Sequence, residues 1–178
     1  MTYAILAALA LAAASTLGDF VWAAGSVRHR AVYGLAHGAA ICLFIGALIG
    51  ARAGRLAIGV ATGPVVGLIA AGTFYLLAPA LGYLAMFPAW MLFWILFGAL
   101  QARLFGESIA SALARGLTAA ALSGIAFYLV SGMWTDPPRG GPNYAANFVR
   151  WAFAFLPGFL ALFVGRAAKT TPLATRHD

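Results

Sequence analysis

Charged side chains make up only 8% of this 178-residue chain, with four acidic residues against eleven lysines and arginines. An ordinary soluble domain is about one quarter charged. So little charge cannot clothe a water-facing surface, which excludes a soluble enzyme or a soluble binding module. Cysteine is nearly missing as well. The single Cys42 lies inside an apolar run, so no intrachain disulfide can form, the redox compartment stays open, and a core thiol is expected. The three histidines and four acids stand at no recognised metal-ligand spacing, and no phosphate loop, dinucleotide fingerprint or haem-attachment pair occurs. Neither metal nor cofactor is expected.

What the chain has is hydrocarbon: 63% hydrophobic residues and a mean hydropathy of +0.93. Crossing a bilayer core takes about 20 apolar residues in a helix, and six runs meet that length: Tyr3 to Ala24, Ala31 to Gly50, Leu56 to Ala78, Leu84 to Leu104, Ser108 to Met133 and Phe148 to Arg166. The third and fourth are parted only by a Pro/Gly turn at Pro79, Gly82 and Tyr83. The pattern predicts an all-α polytopic membrane protein, a single six-helix domain over residues 1–168 with a short polar cytoplasmic tail, 169–178. The first run lacks a basic leader and continues through Asp19, Phe20 and Trp22, so it is read as a mature helix rather than a signal peptide.

The net charge of +7 does not point to nucleic acid, because the basic residues are scattered at the ends of apolar runs and form no stripe. Anionic head groups suit them better. Six crossings with the N-terminus inside put Arg52, Arg55, Arg103, Arg166, Lys169 and Arg176 on the cytoplasmic side, and Arg28, Arg30, Arg139 and Arg150 on the other. That bias favours both termini in the cytoplasm. Ten arginines, one lysine and abundant Ala and Gly are a composition common in GC-rich bacteria, which suggests a bacterial inner (plasma) membrane.

Lipid offers no hydrophobic drive for helix association, so small residues must permit close packing. Gly34 and Gly38, Gly46, Gly50 and Gly54, and Gly59, Gly63 and Gly67 recur at four-residue steps. Such faces serve tight packing within the chain or a homo-oligomer. Intramembrane ionisable groups are costly, at least about 2.5 kcal/mol for a central Asp, and each requires a partner or a purpose. Asp19 lies about two turns before Arg28 and His37 about two turns after Arg30, so antiparallel first and second helices bring them to similar depth. Asp136, Asn147 and Arg150, with the aromatic Trp22, Tyr33, Trp134, Tyr144 and Trp151, approach the same end. The candidate ligand-binding set is therefore Asp19, Trp22, His37, Trp134, Asn147, Arg150 and Trp151. An internal Asp–His or Asp–Arg brace is the bland alternative. Catalysis with His37 as base and Asp19 orienting it wants a nucleophile, and Ser15, Thr16 and Ser26 more often bond back to their own helix. Trp90 and Trp94 are read as packing. The Pro/Gly-rich Trp134 to Tyr144 segment is read as an ordered loop, and Pro64 and Pro157 as local kinks that leave room between helices.

Near the C-terminus, Phe127-Tyr128-Leu129-Val130-Ser131-Gly132-Met133 closes the fifth run and a polar loop follows. Phe148-Val149-Arg150-Trp151 then opens a helix that contains Pro157 and ends in Val164-Gly165-Arg166. In order and spacing this resembles the Insig (insulin-induced gene) family, in its bacterial form, over runs two to six. The resemblance implies six helices with cytoplasmic termini, a central pocket for a glycerolipid such as diacylglycerol or for a sterol-like molecule, and a homo-oligomer. Animal members carry an acidic residue just before the last helix where Tyr144, Ala145, Ala146 and Asn147 stand here, so the resemblance does not extend to a sterol-sensing partner. The expected function is non-catalytic binding of a membrane lipid between helices. The alternatives are a small proton- or cation-coupled transporter or channel using Asp19 and His37, and a membrane-embedded lipid-modifying enzyme.

Overall fold

The computed structural model describes residues 1–24, 29–131 and 143–163. Arg28, Trp134, Asp136, Arg139 and the tail from Lys169, all of which carried expectations from the sequence, lie outside the described residues. Within them the chain is helical, with no strand: α1 (Thr2–Ala24), α2 (Arg30–Arg52), α3 (Leu56–Leu81), a 3-10 turn (Gly82–Ala85), α4 (Met86–Phe105), α5 (Ile109–Ser131) and α6 (Tyr144–Phe163). Five stretches are long and apolar enough to cross a membrane, Leu56–Phe105 counting as one continuous stretch. The outer surface is apolar too: Leu76 is 81% exposed, Leu129 74% and Leu6 60%. Water would not tolerate this surface, whereas a bilayer requires it, and the fold is compatible with an integral membrane protein.

The helix ends follow from individual residues. Asn143 caps α6, its Oδ1 accepting the Ala146 N–H at 3.0 Å, so the helix begins a turn before the expected Phe148. Ser108 does the same for α5, accepting from Ser111 N–H at 3.2 Å. Gly106, with φ +72°, closes α4 in the left-handed region, and its N–H returns to the Ala102 carbonyl. The break after α3 falls at Gly82, φ +56°, rather than at Pro79, which stays inside the last turn of the helix. From there the chain doubles back. Ala70 of α3 and Phe93 of α4 share one core, and an unbroken helix would hold them about 35 Å apart.

Packing runs around a ring in which each helix adjoins the next in sequence and α6 closes onto α1. The seam between α1 and α2 is the sparsest of these. By contrast α2 and α3 meet backbone to backbone: a methyl group on Gly59 would run into the Gly46 carbonyl oxygen, one on Gly63 into that of Cys42, and one on Gly67 into that of Gly38. The glycine ladders of these two helices thus face each other within one chain. A similar approach joins α4 to α5, where a Cβ on Gly98 would lie 2.7 Å from the Ala112 carbonyl oxygen. The core beside it is aromatic. Trp94, Phe97 and Phe159 are fully buried, and Gly158 of α6 leaves the space that the Trp94 indole fills.

Candidate functional site

Ser15, Gly18, Asp19 and Trp22 recur at three- and four-residue steps and so share one face of α1. That face meets α2 through side chains. The imidazole of His37 lies against the Cα of Gly18, in a place any Cβ would occupy, and stacks on Tyr33 one turn earlier at 5.9 Å with the planes 7° apart. Tyr33 in turn donates its hydroxyl to the Gly18 carbonyl at 2.6 Å, and its ring packs 5.2 Å from Trp22. A neighbouring glycine is used alike: Gly34 makes room for the Tyr75 hydroxyl, which donates to the Arg30 carbonyl at 3.0 Å.

Asp19 turns toward α6. Its Oδ2 accepts the indole N–H of Trp151 at 2.9 Å and the amide N–H of Asn147 at 3.3 Å, two donors one turn apart on that helix. A half-buried carboxylate held by neutral donors keeps its acceptor character without being neutralised by a cation. Among the described residues no hydrogen bond joins Asp19 to His37. Arg150 is exposed, and among the described residues no ion pair joins it to Asp19.

Between α1, α2, α3, α4 and α6 lies a cavity of about 280 Å³. Asp19, His37 and Ser15 line its polar side, while Ile41, Phe74, Met86, Trp90, Phe93 and Phe155 are among its apolar walls. These positions fall near the C-terminal ends of α1 and α3 and the N-terminal ends of α2, α4 and α6, so the cavity occupies the end of the bundle where α1 joins α2 and α3 joins α4. Ser15 is 1% exposed, and its hydroxyl has no hydrogen-bond partner among the described residues. No Arg or Lys is among the lining residues.

Of the residues singled out in the sequence, Asp19, His37 and Trp151 line the cavity, Asn147 supports Asp19, and Trp22 stands behind Tyr33 outside it. Trp134 lies outside the described residues. Sequence reasoning missed Tyr75 and Met86, and set Ser15 and Trp90 aside as a self-bonded hydroxyl and a packing residue. The four-residue step from Ser15 to Asp19 was the available signal for the first of these. No signal marked Tyr75, whose approach depends on a glycine 41 residues away. No group of acid, thiol or histidine side chains able to hold a metal occurs among the described residues. No protein-family model, curated protein or solved structure matches the chain.

Proposed function

We propose that this chain is a six-crossing, Insig-like protein of a bacterial inner membrane, with both termini cytoplasmic, that binds a lipid non-catalytically in the cavity between its helices. The observation that carries the proposal is an apolar cavity whose polar side presents the Asp19 carboxylate and His37, with the buried, unpartnered Ser15 hydroxyl beside them and no Arg or Lys among the described lining residues. An anionic head group would meet a carboxylate there with no cation to offset it, which costs free energy in a low-dielectric site. A hydroxyl on an apolar body fits: it donates to Asp19 or His37. Diacylglycerol-like and sterol-like molecules both have that form. Asp19 then has two duties, bracing α1 to α6 through Trp151 and Asn147 and leaving its other oxygen for the ligand.

Native mass spectrometry with lipid extraction tests this on gently purified protein, wild type against an Asp19→Asn, His37→Ala double variant. A stoichiometric neutral glycerolipid or sterol-like molecule, weakened in the variant, is the expected result. No retained lipid in either sample would sink the proposal and turn attention to proton-coupled flux in liposomes. The topology is checked by tag accessibility at Arg139 and at the C-terminus, which must report opposite sides of the membrane.

A further inference from the structure

A second hollow of about 550 Å³ lies between α4 and α5, and its walls include Phe87, Met91, Leu117, Gly124 and Ile125. It shares one residue with the inner cavity, Trp90. Trp90 is thus the residue at which the two spaces adjoin. It stacks on Phe93 at 5.5 Å, Phe127 at 5.4 Å and Phe155 at 5.4 Å, and its Nε1–H donates to Ser123 Oγ at 3.1 Å. Ser123, fully buried, donates its own O–H to the Ala154 carbonyl. A hydroxyl relay from α4 through α5 to α6 thus latches the ring in place.

The inner cavity lies below the roughly 300–1,000 Å³ usual for pockets that enclose a drug-sized ligand, so it cannot hold a whole two-tailed lipid. The hydrocarbon has to leave the bundle. The α4–α5 hollow is apolar and faces outward, with Met91 48%, Leu117 47% and Ile125 59% exposed. Gly124 leaves it open: a Cβ there would meet only the edge of Trp90, at 3.8 Å. We infer that this hollow is the hydrocarbon-chain site of the lipid whose polar end sits at Asp19 and His37, and that Trp90, latched by Ser123, is the gate the chain passes. The inference rests on the proposed function and adds a second site, a route and a gate to it.

The test uses the full chain in phosphatidylcholine vesicles with a diacylglycerol carrying a photoactivatable diazirine on one acyl chain, with cross-links mapped by mass spectrometry with and without excess unlabelled diacylglycerol. Competed cross-links at Leu117, Gly124 or Ile125 are expected. Gly124→Leu fills the hollow without meeting backbone, and should lower them roughly tenfold, the scale on which an apolar pocket discriminates methylenes. Competed cross-links confined to inner-cavity residues such as Ile41 and Phe155 would overturn the inference while leaving the proposed function standing. Cross-links on α5 that excess diacylglycerol does not reduce would mark bulk bilayer lipid and overturn it as well. Absence of any competed cross-link would remove both. The wild-type map decides among these outcomes even where the variant does not fold.

Discussion

Helix α2 meets its two neighbours in sequence by different means. Against α3 it presents Gly38, Gly46 and Gly50, and the backbones approach until no atom could be added. Against α1 it presents Tyr33 and His37, whose rings hold the helices apart and bond to backbone or lie over a single glycine. The first seam is closed through Gly46, Gly50, Gly59 and Gly63 and opens only toward Gly34, Gly38 and Gly67, which line the cavity. The second brings polar groups to the cavity wall. Both seams serve association where the hydrophobic effect gives no help, but only the second is held open along its described length by side chains. The lesson is that in a helical bundle of this composition a run of glycine on glycine closes a seam, whereas space can remain where side chains set the backbones apart.

The comparison can be broken most forcefully at the tight seam. Gly59→Leu drives a side chain into the Gly46 carbonyl, which the backbone cannot evade, and should cost about 3 kcal/mol or more. Thermal unfolding in detergent, followed by near-ultraviolet circular dichroism, checks this, and a melting temperature within a degree of wild type would mean the seam is far looser than described. At the open seam, Gly18→Ala pushes against the His37 ring, which unlike a backbone can turn away. The expected destabilisation is smaller, about 1–2 kcal/mol. Its main effect is on retained lipid, read by extraction from the purified variant.

Trp151→Phe keeps most of the aromatic stack with Phe127 and Phe155 and removes one of the two donors to Asp19. Interhelical hydrogen bonds in membranes average about 0.6 kcal/mol and reach about 1.7, and the partly desolvated carboxylate places this one in the upper half of that range. A double-mutant cycle with Asp19→Ala, which removes the acceptor, isolates it, and a coupling indistinguishable from zero would remove Asp19 as the α1–α6 brace. The smallest effect sharpens the contrast from the other side. Gly72 lies on α3, beyond the seam, with nothing within 4 Å of where its Cβ would be. Gly72→Ala should stabilise the protein by about 0.5 kcal/mol through helix propensity alone, a modest rise in unfolding temperature where Gly59→Leu gives a large fall.

Much of the architecture was legible because a bilayer-length helix needs a run of apolar residues that composition alone reveals. The turn between α3 and α4 was foreseen at Pro79, Gly82 and Tyr83; Gly82 is the one that takes the positive φ and ends α3, while Pro79 is tolerated in its last turn. The early start of α6 hung on a single capping side chain, Asn143, in a segment whose prolines and glycines suggested loop. The site was partly legible: Asp19 and His37 stand out as ionisable groups in apolar runs, and Trp151 as an amphipathic ring near them. Their contacts were not, because Asp19 is joined to residues 128 and 132 positions away. Arg150 looked like the natural partner for an acid and is exposed instead, one helical position from the tryptophan that does bond to it.

The sequence by itself determined the solvent this chain suits, the helical class and the close-packing character of its glycines, since each is a property of composition or of spacing along one helix. Only the tertiary structure decided which glycines meet glycines and which meet rings, and hence where space remains. The same four-residue step supports a backbone contact at Gly46 and Gly59 and a cradle for an imidazole or a phenol at Gly18 and Gly34. Those outcomes depend on which helix faces which across the bundle, and that relation is not written along any one of them.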